Sequence, residues 1–268
     1  MGTAVRGRAS QTHIEPFVEL AANLKTTAIF KNQVAVITGA SSGIGKAIAV
    51  ALAELHATLC LVGRRADALE AVSETVRQLG ATNQTYCFDL TLDEKVWEFA
   101  EFLQGSFGRV DILIHSAGSI SFGDIASAPV SELDAQFRAN VHAPYVLTQA
   151  LLPMLRIRRG QIVFINSSIG LTTRPGVGQF SSTQHALKAL TDTLRDEVNP
   201  QGIRVLSVYP GRTATPRQAK IFQLEGRPYR PERLMQAEDI ASVVLNSLAL
   251  SPTAEVTDIK IRPFVNFD

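Results

Sequence analysis

The feature that most constrains the fold is a glycine-rich run between an apolar β-branched segment and a helical stretch. After Val34–Thr38 the chain continues GASSGIG, and helical periodicity begins at Ile44. Glycine at such points permits a tight turn and a close approach of the backbone to another group. The unpaired N–H groups and positive dipole end of the following helix attract a pyrophosphate. This context favours a nucleotide-binding loop over a plain structural turn, with predicted contacts at Gly39, Ser41, Ser42, Gly43, Ile44 and Gly45.

Short apolar runs alternate with helical stretches along the rest of the chain. The predicted strands are Val34–Thr38, Thr58–Val62, Gln84–Phe88, Ile112–His115, Gln161–Asn166, Arg204–Tyr209 and Asp258–Arg262. The predicted helices are Ile44–Glu54, Ala66–Leu79, Leu92–Gly105, Ser131–Arg156, Gln179–Asn199 and Ala237–Leu248. This alternation predicts an α/β fold, a single-domain Rossmann fold with a seven-stranded parallel sheet and helices on both faces.

The chain is expected to form one domain preceded by an arm. Residues 31–268 are the predicted dinucleotide-binding and catalytic-type domain, since 268 residues suffice for one substantial core. Residues 1–30 are predicted to be an arm, partly disordered or with a short helix over Phe17–Leu24. Prolines interrupt the periodicity at about 212–236, which predicts a mobile flap over a pocket.

Charge and cysteine content narrow the classes of partner. Lysine and arginine total 26 against 25 acidic residues, so the net charge of +1 argues against nucleic acid and against an anionic membrane surface. A small-molecule partner is favoured. Cys60 and Cys87 each lie in an apolar run, which predicts buried hydrophobic residues, no metal site and a cytoplasmic location. No signal peptide or membrane span is indicated.

Two arginines follow the second predicted strand, where the adenine-side ribose of a bound NAD or NADP(H) is expected to lie. Arg64 and Arg65 stand where an acidic residue is expected if a free ribose 2′-hydroxyl is to be bound. Guanidinium groups pair well with a phosphate, so these arginines favour NADP(H) over NAD.

The order and spacing of further motifs resemble the short-chain dehydrogenase/reductases over residues 33 to 262. The shared segments are TGASSGIG, Phe88-Asp89-Leu90, Ser116-Ala117-Gly118, Asn140-Val141, Ser167-Ser168 and Pro210-Gly211. The resemblance implies that Asp89 and Leu90 flank the adenine and that Ser116, Ala117 and Gly118 line the cofactor. It also implies cofactor contacts at Pro210 and Gly211, and at Thr213 and Thr215 near the nicotinamide carboxamide.

The same resemblance draws attention to two residues that depart from the family. There, a tyrosine donates a proton to the substrate oxygen, and a lysine four residues later lowers its pKa and holds the nicotinamide ribose. Phe180 and Gln184 stand at these positions, while Ser168 and Asn140 of the catalytic set are retained. Phenylalanine has no proton to donate and glutamine no charge. Gln184 keeps the ability to bind the ribose hydroxyls.

These observations leave three functional hypotheses. The first is an atypical NADP(H)-dependent oxidoreductase on a small carbonyl or alcohol, with water or a substrate hydroxyl as the proton source. The second is a non-redox enzyme on the same scaffold, such as a cyclase, isomerase or dehydratase, and the third is a catalytically silent NADPH-binding protein. His115 is interpreted as a core residue at a strand end rather than a base. The possible substitutes for the missing pair are given ordinary roles: Ser181 and Ser182 in the first turns of a helix, His185 about one residue off the Phe180 face, and Tyr209 as a packing residue. By resemblance, the helices 131–156 and 179–199 predict a homodimer or homotetramer.

Overall fold

A computed structural model describes residues 30–264 of the chain. The predicted short helix over Phe17–Leu24, and nearly all of the predicted arm, lie outside the described residues. Phe30 is the exception to the predicted arm boundary, because its side chain is 1% exposed and packs in the core.

Seven parallel strands form one sheet, as predicted. They are β1 (Val34–Thr38), β2 (Thr58–Gly63), β3 (Asn83–Cys87), β4 (Ile112–His115), β5 (Gln161–Ile165), β6 (Arg204–Pro210) and β7 (Asp258–Ile261). Their order across the sheet is β3-β2-β1-β4-β5-β6-β7. The order reverses direction between β1 and β4, and in such sheets ligands bind outside the carboxyl ends of the strands at this point.

Helices cover both faces of the sheet. They are α1 (Gly43–Glu54), α2 (Ala66–Gln78), α3 (Asp93–Ser106), α4 (Val130–Phe137), α5 (Ala143–Arg158), α6 (Gly178–Val198), α7 (Pro216–Leu224) and α8 (Ala237–Leu248). Alternate strand residues face opposite sides, so the buried side chains form two clusters. One cluster joins the sheet to α1, α2 and α8, and the other joins it to α3, α5 and α6.

Most predicted boundaries agree with the structure to within one residue, but two regions differ. The predicted helix Ser131–Arg156 is divided into α4, a π-helical turn at Arg138–His142, and α5. The predicted flap contains α7 and a 3-10 turn at Pro231–Arg233. A β-bridge between Thr213 and Met235 ties its two ends together.

One burial prediction is wrong. Cys60 is buried, and burial raises the pKa of its thiol to about 12, but Cys87 is exposed. The reason is the position of β3 at the edge of the sheet, where exposed residues outnumber the half-buried ones. An apolar run in the sequence does not distinguish an edge strand from a central one.

Candidate active site

The predicted site residues lie side by side at the carboxyl ends of the strands. The glycine-rich turn follows β1, Arg64 and Arg65 follow β2, and Asp89 follows β3 by two residues. Ser116 to Gly118 follow β4, Ser168 lies just beyond β5, and Gly211 follows β6. Because all seven strands are parallel, these carboxyl ends lie side by side, and residues distant in the sequence line one cleft.

Backbone geometry shapes the turn between β1 and α1. Gly39 and Gly43 have φ of +66° and +56°, a region that favours glycine. A Cβ on Gly39 would lie 2.9 Å from the backbone of Ser116 and Ala117, and one on Gly45 would lie 2.6 Å from the Gly39 carbonyl oxygen. No side chain caps α1 and no acidic residue occupies its first turn, while Ile44 packs against the core. The α1 N-terminus therefore keeps its N–H groups and positive dipole end for an anion.

Thr38 fixes the turn to the neighbouring strand. Its Oγ1 accepts hydrogen bonds from the backbone N–H groups of Ser116 (3.0 Å) and Ala117 (3.2 Å), and donates to the Ile114 carbonyl (3.2 Å). Sequence analysis did not single out this buried residue. Its signal was its position, as a threonine directly before the first glycine of the motif.

The ends of β2 and β3 bring charged groups to the cleft. Arg65 donates to Ser41 Oγ over 3.4 Å, and Arg64 lies 3.6 Å from the Asp89 carboxylate. Partial burial alone raises the pKa of Asp89, but hydrogen bonds from Thr91 and the charge of Arg64 outweigh it and lower the pKa. Both members of the Arg64–Asp89 pair are solvent-accessible, so the pair is weak and its arginine is available to another anion.

Asn140 lies in the π-helical turn and links two walls of the cleft. Its Oδ1 accepts from the Ser119 N–H over 2.7 Å, while its Nδ2 donates to the Ser119 carbonyl (2.9 Å) and to Thr183 Oγ1 (3.0 Å). Both amide hydrogens are thus used within the protein. Asn140 holds the segment after β4 against α6. Its predicted catalytic role stays a prediction.

Phe180 and Gln184 lie one helical turn apart near the start of α6. Both are buried, with Phe180 9% exposed and Gln184 5% exposed. The Gln184 backbone carbonyl accepts from Asn166 Nδ2 over 3.1 Å, which fixes α6 to the end of β5. Among the described residues 30–264, the Gln184 side chain has one hydrogen bond, from its Nε2 to Thr183 Oγ1 over 3.5 Å. Asn166 therefore fixes the start of α6, with Phe180 and Gln184, against the carboxyl end of β5. Sequence analysis missed this residue.

Ser168 begins the 3-10 turn Ser168–Gly170 and is half-buried. Its backbone carbonyl accepts from Thr172 Oγ1 over 3.2 Å. Within residues 30–264 its hydroxyl has no hydrogen-bond partner. An unengaged hydroxyl at this edge of the sheet is available to a ligand.

The flap begins at the sheet edge and packs onto the glycine turn. Gly211 donates its N–H to the Ile261 carbonyl over 2.8 Å, and the Thr213 hydroxyl donates to the Gly211 carbonyl over 3.1 Å. Thr215 caps α7, and its methyl carbon is 3.0 Å from where a Gly43 Cβ would be. Of the residues predicted to meet the nicotinamide, Thr215 is therefore in contact with the glycine turn.

The outer end of the flap is held by a cluster of charges. Glu225, at the end of α7, receives two hydrogen bonds from Arg212 Nη2, at 3.0 and 2.9 Å, and one from Arg174 at 3.2 Å. Arg174 lies in the segment between β5 and α6. The cluster therefore connects the flap to the wall that carries Ser168, and the predicted mobility of the flap stays a prediction.

His115 and Tyr209, the two residues interpreted as packing in the protein interior, lie in the core. His115 Nε2 is 2.9 Å from Thr148 Oγ1, and its ring stacks on Phe164 with centroids 4.6 Å apart. Burial lowers the pKa of His115 to about 3, so the imidazole is neutral at pH 7. Tyr209 is 1% exposed, and burial raises the pKa of its hydroxyl to about 12. Both packing interpretations are confirmed.

The described part of the chain contains neither a metal-binding cluster nor a membrane-spanning helix. Residues 30–264 contain no group of three or more His, Cys, Asp or Glu side chains that could hold a metal ion. None of the helices in the same range is long and apolar enough to cross a membrane.

Comparison with known proteins agrees with this architecture. The sequence family described as short chain dehydrogenase matches residues 33–226. An uncharacterised oxidoreductase of Staphylococcus epidermidis is 30% identical over 234 residues, which are 87% of this chain and 98% of that protein.

Solved structures extend the likeness to proteins with a bound cofactor. An alcohol dehydrogenase of the archaeon Thermococcus sibiricus, complexed with 5-hydroxy-NADP, superposes with a TM-score of 0.79 at 29% identity, covering 88% of this chain and 98% of that one. A short-chain dehydrogenase of Escherichia coli complexed with NADPH gives 0.80 at 27% identity, covering 87% and 98%. From the sheet order, the glycine turn and these matches, we conclude that the chain belongs to the short-chain dehydrogenase family.

Proposed function

We propose that the chain binds NADP(H) and acts as an atypical oxidoreductase on a small carbonyl or alcohol. The observation that carries the cofactor assignment is the uncapped α1 N-terminus behind a turn whose glycines leave no room for side chains. A pyrophosphate fits such a site because N–H groups and a positive dipole end face it. Arg64 and Arg65 lie beside this turn and supply cations for a ribose 2′-phosphate. NADP-bound structural relatives support the same assignment.

The proposed reaction is atypical in its proton transfer. When bound, NADPH supplies a hydride. The protein must then orient the substrate, and the substrate oxygen must receive a proton. By the resemblance of the sequence motifs, Phe180 and Gln184 are proposed to replace the tyrosine and lysine that perform this step. Ser168 is proposed to hold the substrate oxygen through its unengaged hydroxyl, and Gln184 to hold the nicotinamide ribose. The proton then comes from water or from a substrate hydroxyl.

The buried Phe180 also favours a second candidate, an NADP(H)-binding protein without redox turnover. General acid catalysis contributes on the order of 10²–10⁴-fold, and a phenyl ring cannot supply it. A non-redox reaction would use Ser168 to polarise a substrate while the cofactor is left unchanged. A search for reaction products by mass spectrometry separates three cases. An oxidoreductase yields product and consumes NADPH, a non-redox enzyme yields product without consuming NADPH, and a catalytically silent binding protein yields none.

We further propose that the chain forms a homodimer or homotetramer in the cytoplasm. Phe137 at the end of α4 and Tyr145 on α5 are large apolar side chains that are 47% and 53% exposed. Burying them in an interface would gain free energy through the hydrophobic effect. Sedimentation equilibrium of the purified chain measures the assembly directly, and a monomer at micromolar concentration contradicts this proposal.

Calorimetric titration with NADPH and NADH tests the cofactor assignment. The unmodified chain is expected to bind NADPH at least about 10-fold more tightly than NADH, since a charge-assisted pair with the extra phosphate contributes about 1.5–3 kcal/mol. Replacing both Arg64 and Arg65 by alanine should remove this difference. Arg156→Ala is a matched control because this exposed arginine lies near the end of α5, at the opposite edge of the sheet. Equal affinity for both cofactors in the unmodified chain contradicts the assignment.

A further inference from the structure

Arg217 connects the flap to the opposite wall of the cleft. It lies in the first turn of α7, and its Nη2 donates to the Gly118 carbonyl oxygen over 2.6 Å. Gly118 follows β4 and belongs to the segment expected to line the cofactor. The two residues are 99 positions apart in the sequence, so this hydrogen bond bridges the flap and the segment after β4.

The surroundings of this guanidinium are electrostatically unfavourable. Arg217 is next to the N-terminus of α7, where the helix dipole is positive and disfavours a cation. More than a third of the Arg217 surface is accessible to solvent, so water partly screens these charges. Desolvation first, and the like charge of Arg64 second, lower the pKa of Arg217. A bound anion would relieve both the dipole repulsion and the repulsion between the two arginines.

The flap residues before Arg217 place it beside the glycine turn. Thr215, two residues earlier, contacts Gly43, and α1 begins there without a side-chain cap. Two helix N-termini and the Arg217 guanidinium therefore converge on one part of the cleft. Arg64 and Arg65 approach from the end of β2, where the 2′-phosphate is proposed to bind.

We propose that Arg217 is a clamp that closes the flap over the cofactor by pairing with its pyrophosphate. This inference rests on the proposed binding of NADP(H). A guanidinium has five N–H donors, so Arg217 can keep its bond to the Gly118 carbonyl and donate to a phosphate oxygen as well. Both NADPH and NADH contain the pyrophosphate. The clamp therefore contributes affinity for either cofactor and does not discriminate between them, whereas Arg64 and Arg65 do.

Titration of both cofactors against a set of single variants tests this inference. Arg217→Ala is expected to weaken NADPH and NADH binding by the same factor, about 10- to 100-fold, since one charge-assisted hydrogen-bonded pair is lost. Arg217→Lys should retain part of the affinity because it keeps the charge but not the planar donor set. Lys220→Ala is the matched control, because this exposed cation lies three residues further along α7. It should change either affinity less than about two-fold, because it removes an exposed charge about one helical turn further from the α7 N-terminus.

A second readout reports the closure of the flap. Cofactor should slow amide hydrogen exchange of residues 212–235 in the unmodified chain and in Lys220→Ala, and should do so much less in Arg217→Ala. Circular dichroism of each variant verifies that it is folded before titration.

The possible results separate this inference from the proposed function. If the unmodified chain binds NADPH and Arg217→Ala behaves like Lys220→Ala, the clamp is wrong and the cofactor assignment stands. A loss confined to NADPH would move Arg217 to the 2′-phosphate and would also overturn the pyrophosphate clamp. If the unmodified chain binds neither cofactor, both proposals fail together.

Discussion

The two sides of the cleft differ in whether the backbone or the side chains determine what they can bind or catalyse. On the side of β1 and α1, the fit depends on the backbone, since a Cβ on Gly39 or Gly45 would meet neighbouring backbone atoms. On the side of β5 and α6, the backbone at Phe180 and Gln184 is ordinary α-helix. There, only the identity of the side chains decides what chemistry is possible. A scaffold of this kind can keep the backbone of one side unchanged while side chains change on the other side.

The largest effect is expected from restoring proton delivery on the α6 side. If Phe180 and Gln184 stand at the proposed positions, Phe180→Tyr with Gln184→Lys supplies both a hydroxyl and a cation that lowers its pKa, one helical turn apart. We expect NADPH-dependent reduction of a panel of small ketones to rise by on the order of 10²–10⁴-fold in kcat/KM. Phe180→Tyr alone should gain less, because the hydroxyl lacks its cation. The proposed defect is wrong if the unmodified chain already reduces the panel as fast as the double variant.

The second largest effect is a loss of NADPH affinity on adding one methyl group on the α1 side. Gly45→Ala places a Cβ 2.6 Å from the Gly39 carbonyl oxygen, so the turn must shift. We expect NADPH affinity to fall about 100-fold, equivalent to about 2.7 kcal/mol, as measured by calorimetry.

Gly105→Ala is the matched control for this loss. Gly105 also lies in a helix, α3, but a Cβ there has no neighbour within 4 Å. The substitution should leave affinity unchanged and raise the free energy of unfolding by up to about 1 kcal/mol, because alanine favours helix more than glycine does. Equal losses of affinity for the two variants would show that the glycine turn is not special.

The smallest effect concerns His115, which lies between the two sides at the end of β4. Its pKa is about 3 in the folded protein and about 6.5 in an unfolded chain, so between these values only the unfolded chain binds the proton. This residue therefore makes the free energy of unfolding fall as pH drops from about 6.5 towards 3. Its contribution between pH 7 and pH 5 is a loss of about 2 kcal/mol.

Denaturant unfolding at the two pH values measures this contribution. His115→Phe keeps a ring beside Phe164 but cannot bind a proton, so the difference between pH 7 and pH 5 should shrink by about 2 kcal/mol. The exposed His185→Gln is the control and should leave that difference as in the unmodified chain. If His115→Phe also leaves it unchanged, His115 is not held neutral by the fold.

The strands and helices were largely predictable from local pattern. Burial on both faces of the parallel strands gives continuous apolar runs, as in Val34–Thr38, and helices show their own periodicity. The interruption of a long helix at Arg138–His142 was missed, although Pro144, two residues after it, lacks the backbone N–H that a continuous helix needs. Its Asn140 is held by contacts with Ser119 and Thr183 that only the folded chain provides. Cys87 was misjudged for a similar reason, since exposure depends on the order of the strands.

The candidate site divides in the same way. The glycine-rich run, the two arginines after β2 and the segment from Phe180 to Gln184 are contiguous, so the sequence alone was enough to identify them. Asn166, Thr38 and Arg217 matter through partners that are 18, 78 and 99 residues away. Of these three residues only Thr38 has a local signal, its position directly before the first glycine of the motif.

The sequence by itself determined the fold class and the glycine-rich turn, and it singled out the side chains at positions 180 and 184 for the proposed function. Each of these depends on residues that are neighbours in the chain, where propensity and periodicity act. Only the tertiary structure decided which buried polar groups support the turn and that an arginine of the flap reaches the opposite wall of the cleft. Such contacts form because a parallel sheet places the carboxyl ends of its strands side by side. Residues far apart in the sequence thereby become neighbours in space, which their separation along the chain does not reveal.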